Sequence, residues 1–586
     1  MRVALVPGPG GSGLLCSLGE DGIAQGAPAG VADLAAAVAE RERSDAVRWV
    51  WPSTAAVYPG LLRAGIRVAR CHDVGLTEGL LLGRDGQVGQ SVALSAAAAR
   101  LSGLPAPADP GPAAGIDPDE PPQLLFDEPA RADLAQQTAQ VAMSDLIAVH
   151  ASQHARIRAE PQTPRFAMLA AAESAGGLVA AEMTAAGLPW RADVHNELLS
   201  ELLGPRPATI SGLPSRPARL AELTAQISAE LGAVRPVNLD SPAQLLRALA
   251  ASGIRVPSTK VSVLRTVDHP VIPLLLQYKE LARLHTANGW SWLDTWVTSG
   301  RFRPEYIVGG VVSGRWATRG GGALQIPKVL RRAVVADPGW TLVVADAAQL
   351  EPRVLAALAG DRAFAQAAAS GDVYGAVASA VGTDRDKAKV ALLSAMYGGT
   401  GGDGGQSLAL LRRRFPQASA FVEAAARAGE EGRIVRSVLG RTCPPPSAEW
   451  LSVTGESGDP EVERDPGAGQ ASRARGRFTR NFVVQASAAD WALVLLATLR
   501  TALTDPGAAD MSTDQAGVAW PGMEQRPHLV FFQHDEVVVH CPAGLATAVV
   551  SAIEAAAATA TTLVFGATDV SFPMTTAVVD CYSDAK

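Results

Sequence analysis

The sequence predicts a multi-domain α/β and α+β protein, and three observations carry that expectation. Its 586 residues leave room for roughly three or four structural units, each with its own core. Strand-like apolar runs alternate with alanine-rich helical stretches over residues 1 to about 100. They give way to an almost wholly helical region from Ala130 to about Ala287, then return near Tyr306–Val312, Leu342–Ala345 and Leu529–Cys541. The chain is 48% hydrophobic but only 5% aromatic, with alanine filling the deficit, a composition that favours helices.

Bulk properties exclude several function classes. With a net charge of −7, the molecule as a whole does not attract nucleic acid or anionic membrane, so an anionic partner has to be met by a local basic surface. The five cysteines, Cys16, Cys71, Cys443, Cys541 and Cys581, show no CxxC spacing. They argue for a reducing compartment and against a disulfide framework or a thiolate zinc site. The opening MRVALVPGPGG lacks the apolar core of a signal peptide. No uninterrupted apolar run is long enough to span a bilayer; Trp491–Leu499 is the nearest and stops at Arg500. The expectation is a soluble, cytoplasmic protein with no membrane partner.

Along the chain, Val3–Val6, Val47–Trp51 and Ile66–Ala69 read as strands and Val31–Arg41 as a helix, an α/β pattern. Residues 103–123 are proline-rich without apolar period, a linker. Helical spacing predicts 132–155, 166–186, 191–203, 216–231, 242–251 and 271–287, with the pair around Gly212–Pro214 expected as a protruding arm. After the strand Tyr306–Val312 comes VSGRWATRGGGALQIPKVLRRAV, where Arg315, Arg319, Lys328, Arg331 and Arg332 meet no acid. It is either a solvated loop or the local basic surface that the net charge did not promise. In TLVVADAAQLEPRVLAALAGD the strand Leu342–Ala345 ends on Asp346. Leu350, Val354, Leu355 and Leu358 follow at helical spacing, with Pro352 in the first turn and Gly360 as the stop. Asp346 is therefore either a helix N-cap or an acid that a rigid strand end presents to a cleft. Helices run on to about Gly429, and residues 444–476 and 504–527 read as inserted loops. LVFFQHDEVVVHC reads as a tight hairpin, followed by a helix Ala543–Phe565 and a strand Thr575–Val579.

Three constellations carry chemistry. In TDRDKAKVALLSAMYGG, Arg385, Lys389, Leu393 and Tyr397 recur every four residues, a step that drifts only about 40° round a helix. Asp384 opens that helix and Gly398 closes it. Two cations and an aromatic on one stripe suit a polyphosphate joined to a flat base; a solvent face that is basic by accident is the plainer reading. The hairpin turns on Gln533, His534, Asp535 and Glu536 between apolar strands. Asp535 paired with Asp346 offers the two carboxylates of a hard-metal site, where two ions activate an attacking hydroxyl and stabilise a leaving oxygen. In GRFTRNFVVQASAADW, Arg477, Asn481 and Gln485 line one helix face, suited to sugar and base edges in a minor groove.

Taken in order, these motifs resemble family A DNA polymerases, from about residue 125 to the end and more faintly upstream. VVADAAQLEPRVLAALAGD is similar to the family's first palm motif, RDKAKVALLSAMYGG to its nucleotide-binding fingers helix, and FFQHDEVVV to its second palm motif. VNLDSPAQL and the helices ending near QYKELARL resemble its thumb, and GRWATRGGGALQIP the segment that follows the primer–template duplex. The resemblance implies a right-hand polymerase of palm, fingers and thumb behind an N-terminal RNase H-like exonuclease-type domain. Its divisions fall at 1–125 and 126–165 for the exonuclease-like part, 166–300 for the thumb and start of the palm, 301–365 for palm, 366–485 for fingers and 486–586 for palm.

It further implies two Mg²⁺ ions, which Mn²⁺ can replace, on Asp346, Asp535 and the backbone carbonyl of Ala347. Arg385 and Lys389 would hold the triphosphate, with Lys389 protonating the pyrophosphate. Gln349, Leu393, Tyr397 and His534 would line the nucleotide site, and Glu351 would exclude a 2′-hydroxyl. Arg315, Gln325, Arg477, Asn481, Gln485 and Glu536 would meet DNA. The implied partners are primer–template DNA and dNTPs, for a monomer associated with the nucleoid. A DNA-binding scaffold that lost synthesis, and a magnesium-dependent nuclease, are the alternatives.

Departures from the family pattern are Ala347 and Ala348 for its Tyr–Ser, Pro352 for an aliphatic residue, and Leu393 for an aromatic. They bear on nucleotide selectivity. The N-terminal region lacks the acids that proofreading needs: RVALVPGPGG has none, none stands near Ala56–Pro59, and Asp145 in VAMSD is the one late remnant, with Val141 in place of tyrosine. Absent proofreading and an absent 5′ nuclease module are the expectations.

Overall fold

In the computed structural model, which describes residues 1–109, 128–210, 213, 214, 216–398, 409, 411–454, 466–504 and 526–585, the first apolar run forms β1 (Arg2–Pro7). Strands β2 (Gly13–Leu18), β3 (Ala29–Val31), β4 (Arg48–Trp51) and β5 (Arg70–Asp73) complete a sheet of order β3-β2-β1-β4-β5. The first three strands pair antiparallel, and β1, β4 and β5 pair parallel. Val3 and Leu5 face one core with Trp49 and Trp51, while Ala4 and Val6 face another with Val50 and Met143. A strand covered on both sides reads as a continuous apolar run. Helices α1 (Leu34–Ser44), α2 (Thr54–Arg63), α3 (Val74–Arg84), α4 (Leu94–Leu101), α5 (Glu128–Arg158) and α6 (Thr163–Ala186) complete this part. The strand expected at Ile66–Ala69 lies four residues later: the run that pairs is Arg-Cys-His-Asp, whose polar side chains gave no strand signal. Likewise α1 starts at Leu34 because Asp33 caps it, accepting from the Ala36 amide (2.9 Å).

The middle of α6 is narrow by necessity. A Cβ on Gly176 would stand 2.8 Å from Leu493 Cδ2, and one on Gly177 would stand 3.2 Å from Thr54 Cβ. Close approach, not backbone freedom, calls for glycine at these two positions.

The described chain divides into two compact units, one of Met1–Ala185, Tyr306–Ala317 and Val343–Ala577, the other of Ala186–Glu305, Thr318–Leu342 and Val578–Lys586. The second unit contains α7 (Ala192–Leu203), α8 (Ala218–Glu230), α9 (Pro242–Ala251), α10 (Val271–Asn288) and α11 (Trp290–Trp296). Residues 209–210 and 213–214 pair as a short hairpin between α7 and α8. Trp190, His195, Trp292 and Phe302 form its aromatic centre. Gly320 and Gly321 press against Trp296 and Phe302, where any Cβ would come closer than 2.7 Å. The glycine run thus serves packing, and the arginine-rich stretch around it is divided between the units at residue 317.

β6 (Trp340–Ala347), which belongs to the first unit from Val343 on, is followed there by α12 (Leu350–Ala359), α13 (Arg362–Ala369), α14 (Val373–Val381), α15 (Arg385–Tyr397), α16 (Pro416–Glu430) and α17 (Pro466–Thr504). Then come β7 (His528–Gln533), β8 (Glu536–Pro542), α18 (Ala546–Phe565) and β9 (Met574–Val579), giving a sheet of order β7-β8-β6-β9. The expected strand Tyr306–Val312 is only Glu305–Ile307, because a turn begins at Val308 and runs into Gly309 and Gly310. The loop expected over 444–476 is partly helical: Ala448–Thr454 forms a short helix and α17 already starts at Pro466. The rest of that loop, 455–465, and most of the other, 505–525, lie outside the described residues, as does most of the linker.

Three helices are long and apolar enough to cross a membrane by length and composition, against the expectation of no such run: Thr163–Ala186, Gly467–Thr504 and Ala543–Phe565. The most apolar windows of the first two are 67% and 83% buried inside the fold, the third 39%. Alanine raises their hydropathy without interrupting the run.

Candidate active site

Asp346 lies on β6, one residue before its end, and does not cap the helix that follows. The residue before α12 is Gln349, held in the left-handed region (φ 55°, ψ 48°) without a capping hydrogen bond. The N-cap alternative for Asp346 is thereby corrected. The strand continues to Ala347 because the Ala347 amide donates to the Asp535 carbonyl (3.1 Å). That bond ties the tip of the β7–β8 hairpin to the end of β6, placing Asp346 and Asp535 at one edge.

Gln533 pairs with Glu536, so His534 and Asp535 form a two-residue turn. His534 takes φ 58°, a conformation in which glycine would carry no strain. A tolerated imidazole there points to use rather than economy. Burial, and after it the charge of Arg315, lowers the His534 pKa. Trp316 packs edge-on against Phe532 of β7 (5.2 Å between ring centroids) and so anchors Arg315 beside the hairpin. Arg315 in turn pairs with one oxygen of Glu351, and the Tyr397 hydroxyl donates to the other. Burial raises the Glu351 pKa, and Arg315 opposes it.

Helix α15 has the predicted bounds. Asp384 accepts from the Lys387 amide (2.8 Å), and Gly398 ends the helix at φ 75°. Ala388, Ala391, Leu392, Ala395 and Met396 are buried, which leaves Arg385, Lys389, Leu393 and Tyr397 on the accessible stripe. Arg385 is not idle: its Nε and Nη2 meet Asp372 at 2.7 and 3.3 Å. Gln349 Nε2 donates to the same carboxylate (2.8 Å), and Gln349 Oε1 accepts from the Val373 amide (2.7 Å). Hydrogen bonding to Arg385 holds the Asp372 pKa down at about 2. Arg385 and Lys389 both lie over the Tyr374 ring, 5.7 and 5.9 Å from its centroid. Sequence reasoning missed Asp372 and Tyr374, since in GDVYG an aspartate before a helix reads as a cap. Asp372 does hold the N-cap position of α14, but its side chain makes no capping bond.

Arg315, Gln349, Glu351, Tyr374, Leu393, Tyr397, His534 and Asp535 line one cleft of about 210 Å³. The DNA-side candidates are placed differently. Arg477 is exposed on α17, where a Cβ on Gly398 would come within 2.9 Å of its Cγ. Asn481, its amide nitrogen turned to α15, donates to the carbonyls of Met396 (3.0 Å) and Arg477 (3.2 Å). Gln485 is half-buried. Glu536 is buried at 4% exposure. Gln325 belongs to a short turn of the second unit, and its side chain lies outside the described residues.

The junction is held by a residue whose role the sequence did not disclose. Arg353 is fully buried on α12 and donates to the carbonyls of Ala348 (2.7 Å), Ala368, Ser370 (3.0 Å), Gly371 (3.0 Å) and Ser571 (2.9 Å). An arginine among apolar helix positions was the available signal. Arg353→Leu will orphan these carbonyls and reduce stability by about 3 kcal/mol, measured as the denaturant midpoint at unchanged m-value; a loss below about 1 kcal/mol would contradict this role.

Two carboxylates and the main-chain carbonyl of Ala347 at one strand end suit a hard divalent cation completed by water and substrate oxygens. Among the described residues no group of three or more His, Cys, Asp or Glu side chains is placed to hold a metal ion, so side-chain ligands here number at most two and oxygens from water and substrate would have to complete the shell.

The sequence model of a family described as DNA polymerase family A matches residues 215–579. Similar curated proteins include DNA polymerase I of Chloroflexus aurantiacus, 24% identical over 373 residues, covering 55% of this chain and 35% of that protein. Thermostable DNA polymerase I of Thermus thermophilus is 30% identical over 206 residues, 30% of this chain and 24% of that one. DNA polymerase I of Deinococcus radiodurans is 30% identical over 187 residues, 28% and 19%. The chain thus spans about a third or less of the length of these relatives. Among solved structures, the POL domain of Pol1 from M. smegmatis, in complex with DNA primer-template and dNTP, superposes with a TM-score of 0.68. It is 18% identical, and the match covers 99% of this chain and 95% of that one.

Proposed function

The chain belongs to DNA polymerase family A, and from that premise we propose that it is a template-directed DNA polymerase that extends a primer 3′-hydroxyl with dNTPs. One observation carries the reading: Asp535, whose carbonyl is bonded to the end of the strand that bears Asp346, lines the same cleft as Leu393 and Tyr397 of the α15 stripe. The 3′-oxygen bonds to the α-phosphorus as the bond to pyrophosphate breaks. Arg385 and Lys389 hold the triphosphate, and Lys389 donates a proton to the departing pyrophosphate. Glu351, fixed between Arg315 and Tyr397, stands where a 2′-hydroxyl would be excluded, while Gln349, Leu393, Tyr397 and His534 shape the nucleotide site. Asp346, Asp535 and the Ala347 carbonyl would hold two Mg²⁺ ions, which lower the pKa of a bound hydroxyl and neutralise developing charge; Mn²⁺ would serve the same donors.

Arg315, Gln325, Arg477, Asn481 and Gln485 are assigned to the duplex and template, and Glu536, buried at the start of β8, to the neighbourhood of the primer end. We divide the chain into an exonuclease-like part (1–165), thumb and start of palm (166–300), palm (301–365), fingers (366–485) and palm (486–586), acting as a monomer in the cytoplasm at the nucleoid. Extension of a labelled primer, dependent on template and divalent ion, tests the reading. Duplex binding without extension would instead mark a scaffold, and degradation without extension a nuclease.

The nucleotide has to displace Asp372 from Arg385. That pair is half exposed, and exposed pairs are weak. Asp372→Asn will therefore lower the KM for dNTP by at most about five-fold and leave kcat unchanged, in steady-state extension. A raised KM would show that Asp372 instead positions Arg385 productively.

Proofreading is proposed absent. Along β1, Val3, Ala4, Leu5 and Val6 are buried apolar residues, and the acid ending β5, Asp73, is spent on the amides of Thr54 (2.6 Å) and Leu76 (2.8 Å). A 3′-labelled oligonucleotide will release no mononucleotide. Release abolished by Asp145→Ala would overturn this.

A further inference from the structure

The parallel half of the N-terminal sheet carries an arginine at one register position on each strand. Arg2 on β1 stands opposite Arg48 on β4, and Arg48 opposite Arg70 on β5. Neighbouring strands are about 4.8 Å apart, so the three backbone positions span roughly 10 Å. Like charges directly opposite across a sheet are destabilising, and among the described residues no carboxylate pairs with these. Arg2 Nη1 donates to the carbonyls of Glu20 (2.8 Å) and Gly19 (3.4 Å). Arg48 Nη1 donates to the Cys71 carbonyl (3.2 Å) and Arg70 Nη2 to the Ala46 carbonyl (2.7 Å). Each fork keeps further N–H donors.

The surroundings do not neutralise the row. Burial and then the charge of Arg70 lower the Arg48 pKa, with Arg2 adding to them. On α5, His154 is depressed first by burial and then by Arg2 and Arg158, and Asp21 alone opposes. Asp21 itself accepts from the Ile23 amide (3.0 Å). Arg48 and Arg70 also line a cleft of about 650 Å³, with Arg48 half-buried and Arg70 exposed. None of these residues belongs to the cleft at Asp535.

We propose that Arg2, Arg48 and Arg70 form a binding surface for the phosphodiester backbone of single-stranded nucleic acid, separate from the polymerase cleft. Forked donors at fixed spacing on rigid strands match the anionic oxygens of successive phosphates. A flexible single strand adapts its phosphates to the row, whereas a duplex presents them at fixed positions. With the whole molecule at −7, attraction for a polyanion is confined to such local clusters.

The test uses the full chain and a fluorescein-labelled oligothymidylate, with anisotropy read over a series of salt concentrations. In the triple variant Arg2→Gln, Arg48→Gln, Arg70→Gln, the slope of log K against log salt will flatten by about 2, since each single-strand contact contributes about 0.7. Lysine at all three positions will restore it. Should the triple variant fail to fold, Arg70→Gln alone, on the most exposed member, will flatten the slope by about 0.7. Extension of a short recessed primer will not change. An unchanged slope overturns the proposal. So does polyglutamate that competes as well as unlabelled oligonucleotide, which would mark an acidic protein partner, and so does a parallel loss of extension, which would assign the row to the polymerase cleft.

Discussion

Asp535→Ala is expected to reduce primer extension by about 10³-fold or more while leaving the fold intact. The activity loss follows from the chemistry: a carboxylate that holds a divalent ion at the reacting phosphate supplies several kcal/mol of transition-state stabilisation, and each 1.36 kcal/mol is a factor of ten. The intact fold follows from the geometry. The hairpin is tied to β6 through the backbone, by the pairing of β8 with β6 and by the main-chain carbonyl of Asp535 accepting from the Ala347 amide, and alanine keeps both. The side chain stands at a partly exposed turn between strands whose own residues are buried. Single-turnover extension beside a thermal unfolding curve reads both quantities. Asp535→Asn separates charge from shape, because the amide fills the same volume without the negative charge. If either variant retains activity within about ten-fold of the parent at matched stability, Asp535 is not a metal ligand of this reaction.

The same backbone logic explains how the site accommodates its departures from the family pattern. Ala347 is buried and contributes its amide to the hairpin; Ala348 donates its amide to the Pro573 carbonyl (3.2 Å) and offers its own carbonyl to Arg353. Pro352 is the third residue of α12, where an N–H has no intrahelical partner to lose. None of the three positions relies on a polar side chain. Leu393 differs, since it lines the cleft itself.

What the sequence disclosed depended on whether the signal was local. The bounds of α15 were legible because Asp384 and Gly398 are chemical punctuation, and the hairpin because two apolar strands closed on two residues. The pairing of Asp372 with Arg385 spans thirteen residues, and the five acceptors of Arg353 reach as far as Ser571. Nothing in periodicity encodes such contacts. Strand β5 was misplaced for a related reason: Arg-Cys-His-Asp pairs through its backbone while its side chains serve other ends. Cys71 enters the core, His72 meets Gln153, and Asp73 caps α3. Helix α17 extends back through Gly467, Gly469 and Gly476, and a Cβ on Gly476 would stand 2.7 Å from Glu430 Cγ. There glycine permits helix packing rather than marking a loop.

Acidification is expected to destabilise the N-terminal α/β part strongly, through two histidines. His72 on β5 and His150 on α5 meet edge-on, 4.9 Å between ring centroids. His72 Nε2 lies 2.9 Å from Gln153 Oε1, and Gln153 Nε2 donates to Glu78 (2.9 Å) and to the Val74 carbonyl (3.0 Å). The network is complete with a neutral imidazole. Burial pushes His72 down to about 4, against its bond to Gln153 and together with Arg48 and Arg2; burial and then His72 push His150 down to about 3. In the unfolded chain both titrate near 6.5. Between pH 6.5 and about 4 the unfolded state therefore binds more protons than the folded one, and stability falls as pH falls. At pH 5 each histidine costs about 2 kcal/mol relative to neutral pH, and the pair about 4 kcal/mol, a large share of the stability of an ordinary domain. Unfolding temperatures recorded from pH 8 to pH 5 measure the loss. His150→Leu removes one of the two titrating groups and should halve the pH-dependent part, whatever it does to stability at neutral pH. A variant whose stability falls with pH as steeply as the parent's would place the acid lability outside this pair.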